Sequence, residues 1–299
     1  MLALSTLTIT PPPVITLPGG RLRVEPLARK HEAEVLAFLA ERPIHTVIMA
    51  GLIRDNGLVS PLNRGSFYAC RNTRGHLEGV ALVGHVTMVE TRNDAGLELF
   101  AALAQDCQHA HVILGEQEKV ERFWEFYAPA GQQMRLACRE LLFEQRWPLE
   151  CHESVDLRLA TIDDIEQILP VHAQMAFEEC GIDPMERDPI GFRQRTARRI
   201  EQGRVWVWLD QERLIFKADI VSDTPEAIYL EGIYVNRDER GKGIGVRSIS
   251  QLGRILLSRT QLLCVLVNEQ NLAAQACYRS AGYKLRGYYD TNYLKQRSH

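Results

Sequence analysis

The feature that most restricts this chain is the run Arg240-Gly241-Lys242-Gly243-Ile244-Gly245, set between a strand-like stretch ending at Val235 and an amphipathic stretch opening near Val246. A strand–turn–helix junction leaves the first backbone N–H groups of the helix without acceptors and aligned with the positive end of its dipole. Glycines there let an anion approach the main chain closely, so the turn is a candidate cradle for a pyrophosphate, with Arg240 and Lys242 adding charge at its rim. Taken without its context, the same run reads equally well as a structural loop. Two familiar phosphate loops do not fit. No Lys-Ser or Lys-Thr follows the glycines, as GxxxxGK[ST] requires. A dinucleotide fingerprint belongs at the start of a parallel βαβ unit, whereas the strands before this turn read as antiparallel.

Those strands are Val205 to Leu209, Leu214 to Val221 and Ala227 to Val235, joined by short polar turns as in a meander. Upstream, Val155 to Ala160 alternates as a strand, and Thr161 followed by Asp164 resembles a capping box for a helix carrying Ile165, Ile168, Leu169 and His172. A second helix is expected from Phe192 to Gln202. After the glycine run, a helix from Val246 to Ser258 turns Val246, Ile249, Leu252, Ile255 and Leu256 inward. The apolar run Leu262 to Val267 reads as a strand buried on both faces. A short helix from Leu272 to Ser280, a stop at Gly282 and a strand pair within Tyr283 to Leu294 complete this half.

The first half repeats the order in blurred form. Arg21 to Leu27, Ser66 to Cys70, Leu77 to Val89 and His111 to Leu114 read as strands; His31 to Leu39, Leu97 to Ala104 and the aromatic segment Phe123 to Tyr127 read as helices. A composition shift at Trp147 to Ser154, which contains Pro148, divides the chain. The reading is an α/β (α+β) chain with an extended leader over residues 1–20, a domain over 21–150 and a second over 155–299; an accessory first domain of unrelated design is the alternative.

Composition removes several classes of function. At 299 residues, two domains are expected, and 45% hydrophobic with 24% charged residues is ordinary for a globular protein. Lys plus Arg, 35, against Asp plus Glu, 38, leaves a net charge of -3, without the basic field that nucleic-acid binding draws on. No apolar run reaches the roughly 18 residues of a membrane span. The N-terminus lacks a basic n-region and is broken by Pro11, Pro12, Pro13 and Pro18, unlike a signal peptide. Seven cysteines without a CxxC pair fit a reducing cytoplasm. His109-Ala110-His111 and His152-Glu153 lack zinc-ligand spacing, so no metal is expected.

On these residues the chain resembles the GNAT superfamily of acyl-coenzyme A dependent N-acyltransferases. Residues 240–245 fit the family's [RQ]-x-x-G-x-[GA] signature, and Asn271 to Tyr283 look like its N-x-x-A-x-x-x-Y-x-x-x-G-[FY] segment. The resemblance covers about Val155 to Leu294. Over the whole chain, including Phe177 to Pro184 and Phe216 to Asp219, the layout is similar to bacterial two-domain members with a degenerate first domain. It implies tandem GNAT-like domains, each a mixed, mostly antiparallel sheet flanked by helices, with acetyl-coenzyme A as cofactor. Its cofactor-binding positions would be Ile233, Tyr234, Val235, Arg240, Gly241, Lys242, Gly243, Ile244, Gly245, Val246 and Asn271.

Asn271 and Tyr278 stand two helical turns apart on one face. By resemblance, Tyr278 is the general acid that protonates the departing thiolate, where a lone Tyr would otherwise read as a packed helix-edge residue. Asn271 suits an N-cap, and the resemblance adds a hydrogen bond to the pantetheine arm. Strict alternation places Tyr229, Glu231, Ile233 and Val235 on one strand face, and the resemblance has this strand splay from its neighbour so that backbone groups near Ile233 and Val235 pair with pantetheine amides. Glu231, acidic in mid-strand, is the candidate base for the acceptor ammonium, against the alternative of a solvated or salt-bridged Glu. Glu178 and Glu179, in an expected loop between the first two helices, are candidates for recognising a cationic acceptor, against simple helix-end solvation. Lys217 and Asp219 read as a structural ion pair, Trp206, Trp208 and Cys277 as packing residues.

At the matching point of the first half, Thr91-Arg92-Asn93-Asp94-Ala95-Gly96 holds one glycine, so this half is expected not to bind coenzyme A; shaping the acceptor pocket or serving as scaffold remain. Gly115 to Glu118 and the aromatic set Phe123, Trp124, Phe126 and Tyr127 either face the other domain or form a core helix. The expected activity is direct transfer of an acetyl group to a small-molecule or peptide amine. A non-catalytic acyl-coenzyme A sensor and a thiol-metabolite biosynthetic acetyltransferase are the alternatives. Acceptor identity and oligomeric state are left open by the sequence.

Overall fold

A computed structural model describes residues 15–16, 21–149 and 155–296. Most of the expected leader and residues 150–154 of the expected boundary lie outside these. Within the leader, β1 (Ile15–Thr16) pairs antiparallel with β2 (Leu22–Pro26).

The first half continues with α1 (Glu32–Leu39), α2 (Pro43–Asn56), β3 (Gly65–Asn72), β4 (Leu77–Gly84), β5 (Val86–Thr91), α3 (Asp94–Gln105), β6 (Val112–Glu116), α4 (Gln117–Tyr127) and β7 (Met134–Gln145). The second comprises β8 (Arg158–Leu159), α5 (Ile165–Cys180), α6 (Pro184–Arg187), α7 (Pro189–Glu201), β9 (Val205–Asp210), β10 (Arg213–Asp223), β11 (Ile228–Val235), α8 (Ile244–Leu257), β12 (Leu263–Asn268), α9 (Leu272–Ser280) and β13 (Lys284–Leu294). The Thr161–Asp164 capping box forms as expected, with the Thr161 N–H donating to Asp164 Oδ2 at 2.7 Å.

All strands join one 13-stranded sheet in the order β1-β2-β3-β4-β5-β6-β13-β7-β12-β11-β10-β9-β8. Pairing is antiparallel except at β5–β6 and β11–β12. These two parallel junctions occupy matching places in the halves, so the expected α/β tandem of mostly antiparallel sheets flanked by helices is what forms. The halves are also interlocked. The last strand of each lies beside the other half's preceding strand: β13 pairs with β6, and β7 pairs with β12. The two last strands run antiparallel to each other at the centre.

Helices α3 and α4 cover one face of the first half over a core containing Phe100, Phe123 and Tyr127; the aromatic segment is therefore a core helix. Helices α8 and α9 cover the corresponding face of the second half, their Leu252, Leu256 and Tyr278 sharing a core with Phe143, Leu230 and Val265 of the sheet. On the opposite face α2, a first-half element, reaches second-half strands. Val47 packs with Leu142, Tyr229, Cys264 and Tyr289, and a Cβ on Gly51 would stand 2.6 Å from Ser222 Oγ of β10. No described helix is long and apolar enough to cross a membrane.

Three expectations need correction. The final stretch is one continuous strand, not a pair. Helix α2 has no counterpart in the sequence reading, because Val47, Met49, Ala50, Gly51 and Ile53 are buried between the sheet and α1 and leave no clean polar face. Strand β7 was also missed. Its charged residues Arg139, Glu140 and Glu144 break the apolar alternation, and partners on β13 absorb them: Asp290 for Arg139, Thr291 for Glu140 and Arg286 for Glu144.

Candidate active site

Two glycines shape the turn before α8. Gly241 and Gly243 sit at φ of +78° and +75°, which side-chain-bearing residues rarely adopt, and a Cβ at either would meet nothing within 4 Å, so the loop faces open space. The first bond of the helix runs from the Arg247 N–H to the Gly243 carbonyl at 3.1 Å. The N–H groups of Gly241 to Val246 donate to no acceptor among the described residues. Gly245 is small for another reason: a Cβ there would lie 3.0 Å from Cys277 Sγ, so α8 and α9 touch at this level. The expected rim cations are engaged. Arg240 Nε donates to the Val235 carbonyl at 3.1 Å, and Lys242 Nζ donates to Glu239 at 3.0 Å.

Beside this turn the sheet opens. Strand β11 pairs with β12 only from Ile228 to Leu230, and its edge from Glu231 onward has no partner on that side. Ile233 turns its main chain to this open edge and Tyr234 to β10, whereas the Val235 carbonyl, also on the open side, is already used by Arg240. The expected strict alternation along β11 fails at Gly232, where φ is +59° and the register with β10 shifts between Lys217 and Asp219. A bulge adds one residue to the strand and turns the following side chains. Only glycine fits here, since a Cβ would stand 2.6 Å from Asp219 Oδ2 and 2.9 Å from Lys217 Nζ.

Glu231 precedes the bulge and faces the opening. The residue is exposed to solvent, yet the surrounding protein desolvates its carboxylate enough that this and the nearby charge of Glu179 raise its pKa to about 7. Glu179, which solvent reaches at the end of α5, has its pKa raised by partial desolvation and by the charge of Glu140, and it accepts a hydrogen bond from the Tyr293 hydroxyl at 2.9 Å. Glu140 of β7, also raised by burial, accepts from Thr291 Oγ1 at 2.5 Å. None of the three forms an ion pair with a described residue. Glu178 and Glu179 belong to the last turn of α5 rather than to a loop, and adjacent helical residues diverge. Glu178 turns outward to Gln174 and Arg237, so of the two only Glu179 faces the other carboxylates.

Beneath Glu231 lies a buried charged group. Lys217, wholly enclosed, donates from Nζ to Asp219 Oδ2 at 2.8 Å; His172 Nε2 lies 2.7 Å from the same oxygen and Arg199 NH1 3.4 Å. Burial lowers the Lys217 and His172 pKa values, and the cations around Asp219 hold its carboxyl well below the ordinary range. The expected Lys217–Asp219 pair is therefore present, with His172 as a third member.

Tyr278 is 6% exposed, packs on the rings of Phe143 and Tyr283, and its hydroxyl has no hydrogen-bond partner among the described residues. Burial raises its pKa, keeping the phenol protonated. Asn271 caps α9, its Oδ1 accepting from the Ala274 N–H at 3.0 Å. Trp206 and Trp208 pack against the same core.

Sequence reasoning missed Glu140, Tyr229 and Tyr293. No motif marks them; Tyr229 shares the strand face of Glu231, whereas the exchange of β7 and β13 brings Glu140 and Tyr293 to this place. Among the described residues no group of three or more His, Cys, Asp or Glu side chains could hold a metal ion.

The first-half counterpart is closed. At the β5–β6 split, Arg42 bridges Glu90 at 3.0 Å and Glu116 at 2.7 Å, and Lys119 bridges the same two at 2.7 and 3.0 Å. At the start of α3 the Asn93 side chain accepts from the Gly96 N–H at 2.9 Å, so the amide end is capped from within.

A sheet opened between two parallel strands, with uncapped helix-start amides on glycines beside the opening, leaves an anion-receptive turn next to an unpaired strand edge. Residues 165–283 match the Acetyltransferase (GNAT) family. No curated protein matches the chain. Among solved structures, a GCN5-related N-acetyltransferase from Sphaerobacter thermophilus is 15% identical with a TM-score of 0.60, covering 95% of this chain and 98% of its own. A Drosophila protein is 14% identical with a TM-score of 0.66, covering 92% and 99%. A tandem GNAT protein from the clavulanic acid biosynthesis pathway is 14% identical with a TM-score of 0.56, covering 93% and 99%. At these identities the likeness is one of fold, and it extends over both halves.

Proposed function

We propose that this protein is a cytoplasmic N-acetyltransferase that moves an acetyl group from acetyl-coenzyme A directly to an amine. The observation that carries the reading is the set of unbonded amides from Gly241 to Val246 beside the unpaired edge of β11. The cradle fits a pyrophosphate: its donors are free, its glycines leave room, and the helix dipole favours negative charge. Gly241 to Val246 would hold the diphosphate, and Ile233 would offer main-chain groups to the pantetheine arm, with Tyr234 turned to β10. Arg240 and Lys242 would contribute only after leaving Val235 and Glu239.

When bound, acetyl-coenzyme A supplies a thioester whose carbon–sulfur bond breaks as the acceptor nitrogen bonds to the acetyl carbon. Glu231 takes the proton that the acceptor ammonium must lose, and a pKa of about 7 suits a base at neutral pH. Tyr278 gives its hydroxyl proton to the sulfur. Its lack of a protein acceptor leaves that proton available.

The test is thiol release from acetyl-coenzyme A with an amine panel, for the wild type and Tyr278→Phe. The variant should bind the cofactor as the wild type does and turn over at least about tenfold more slowly. Unchanged turnover removes Tyr278 as the acid. A wild type that binds the cofactor yet acetylates no amine supports a sensor instead.

A further inference from the structure

Strand β11 carries one residue more than its partner β10 at the bulge. Lys217 is paired with Tyr234 and Asp219 with Glu231, so Ala218, alone between them on β10, faces both Gly232 and Ile233. The extra residue decides where the side chains after it point. Glu231 lies on the face of Asp219, its cross-strand partner. Beyond the bulge Tyr234 shares that face with Lys217 and packs with Ile168 of α5 and Ile200 of α7, whereas Ile233 and Val235 pack on the opposite face with the core of α8 and α9. An unbulged strand would set Ile233 opposite Lys217 and turn Tyr234 to the other face.

The bulge rests on the buried charged pair. Lys217 Nζ and Asp219 Oδ2 occupy the space that a side chain at 232 would fill, 2.9 and 2.6 Å from where its Cβ would stand. Lys217, His172 and Arg199 all converge on Asp219 Oδ2, while the buried Oδ1 has no hydrogen-bond partner among the described residues. Lys217 is wholly enclosed and bonds there to Asp219 alone. Two features make this arrangement costly. Asp219 and Glu231 are like charges directly opposite each other, and an apolar pair would pack in place of the buried ions at no greater cost. What the ions add is a fixed support under Gly232.

We propose that Lys217 is a positioning residue for the transfer: by fixing Asp219 beneath Gly232 it holds the bulge that sets Glu231 on the acceptor face and the Ile233 main chain at the open edge of β11. It touches neither cofactor nor acceptor and acts through Asp219. This rests on the transferase reading above and names what keeps its proton acceptor and its strand edge in place.

The charges bearing on Glu231 are Glu179 of α5, Arg199 of α7, Asp219 and Lys217 of β10 and Glu140 of β7, while burial keeps the Tyr229 phenol of its own strand neutral. The experiment changes two of them in the full chain. Thiol release is followed with the panel amine that the wild type turns over fastest, and rates are taken per folded molecule as counted from the melting curve. In Lys217→Met kcat should fall about tenfold or more, as misplacement of a reacting group costs. The inflection of kcat/KM should move to higher pH in Lys217→Met, where Asp219 keeps its charge, and to lower pH in Asp219→Asn, where the charge opposite Glu231 is lost. The double variant, with both charges removed, should bring the inflection back toward that of the wild type while kcat stays low. A pair that serves stability alone lowers the melting temperature and nothing else. Unchanged kcat per folded molecule, or inflections that do not move apart, therefore overturns the inference. Should a single variant fail to fold, the double variant stands in for it, and a wild-type kcat there has the same meaning. If the wild type acetylates no amine, the transferase reading falls by itself and coenzyme A calorimetry takes over: binding about tenfold weaker in the double variant keeps the pair as the support of the β11 edge, and equal affinity removes it.

Discussion

Replacing Glu231 by Gln tests the chemistry most directly. With a pKa of about 7, the carboxylate is roughly one-tenth ionised at pH 6 and nine-tenths at pH 8. If the ionised form takes a proton from the bound ammonium, kcat/KM should rise about tenfold across that interval and then level off, because the acceptor enters as its ammonium until near pH 10. In Glu231→Gln the rise should vanish and turnover should drop by about a hundredfold, the lower range of general base contributions. Glu179→Gln provides an internal control. Its charge raises the Glu231 pKa, so its removal should move the inflection to lower pH while a base remains. The assay is initial-rate thiol release at saturating cofactor from pH 5.5 to 9. A Glu231→Gln enzyme that keeps both its rate and an inflection near pH 7 refutes the assignment.

Other consequences concern the scaffold. Gly243→Ala forces a Cβ into a left-handed conformation at the start of α8, costing about 1 to 2 kcal/mol. It should also weaken coenzyme A binding measured by calorimetry; affinity equal to that of the wild type would place the diphosphate elsewhere. Lys217→Met leaves the enclosed Asp219 without its closest lysine, and chemical denaturation should show a loss of about 3 kcal/mol. A loss under about 0.5 kcal/mol would mean that His172 and Arg199 suffice. Residues 155–299 expressed alone lack β6 and β7, so β12 loses the partner on one edge and β13 the partners on both. That fragment should aggregate or fail to give a cooperative melt, whereas a soluble, cooperatively melting fragment would show that the exchanged strand is dispensable.

What was legible in the sequence is whatever depends on local order along the chain. The glycines at 241 and 243, the helix after them and the Thr161–Asp164 cap each rest on backbone conformations set within a few residues, and they appear where the residues required them. Glu231 was marked by its chemistry alone, a carboxylate in mid-strand. Other features were settled only by the tertiary structure. Glu140 lies ninety-one positions before Glu231 in the chain, and sheet order alone places them at one opening. The bulge at Gly232, the outward turn of Glu178 and the capture of Arg240 by the Val235 carbonyl depend on which strands and helices face one another. Hydrophobic periodicity reports which side of an element is buried, not against which element. An exchange of last strands leaves that periodicity unchanged while deciding which carboxylates share the cleft.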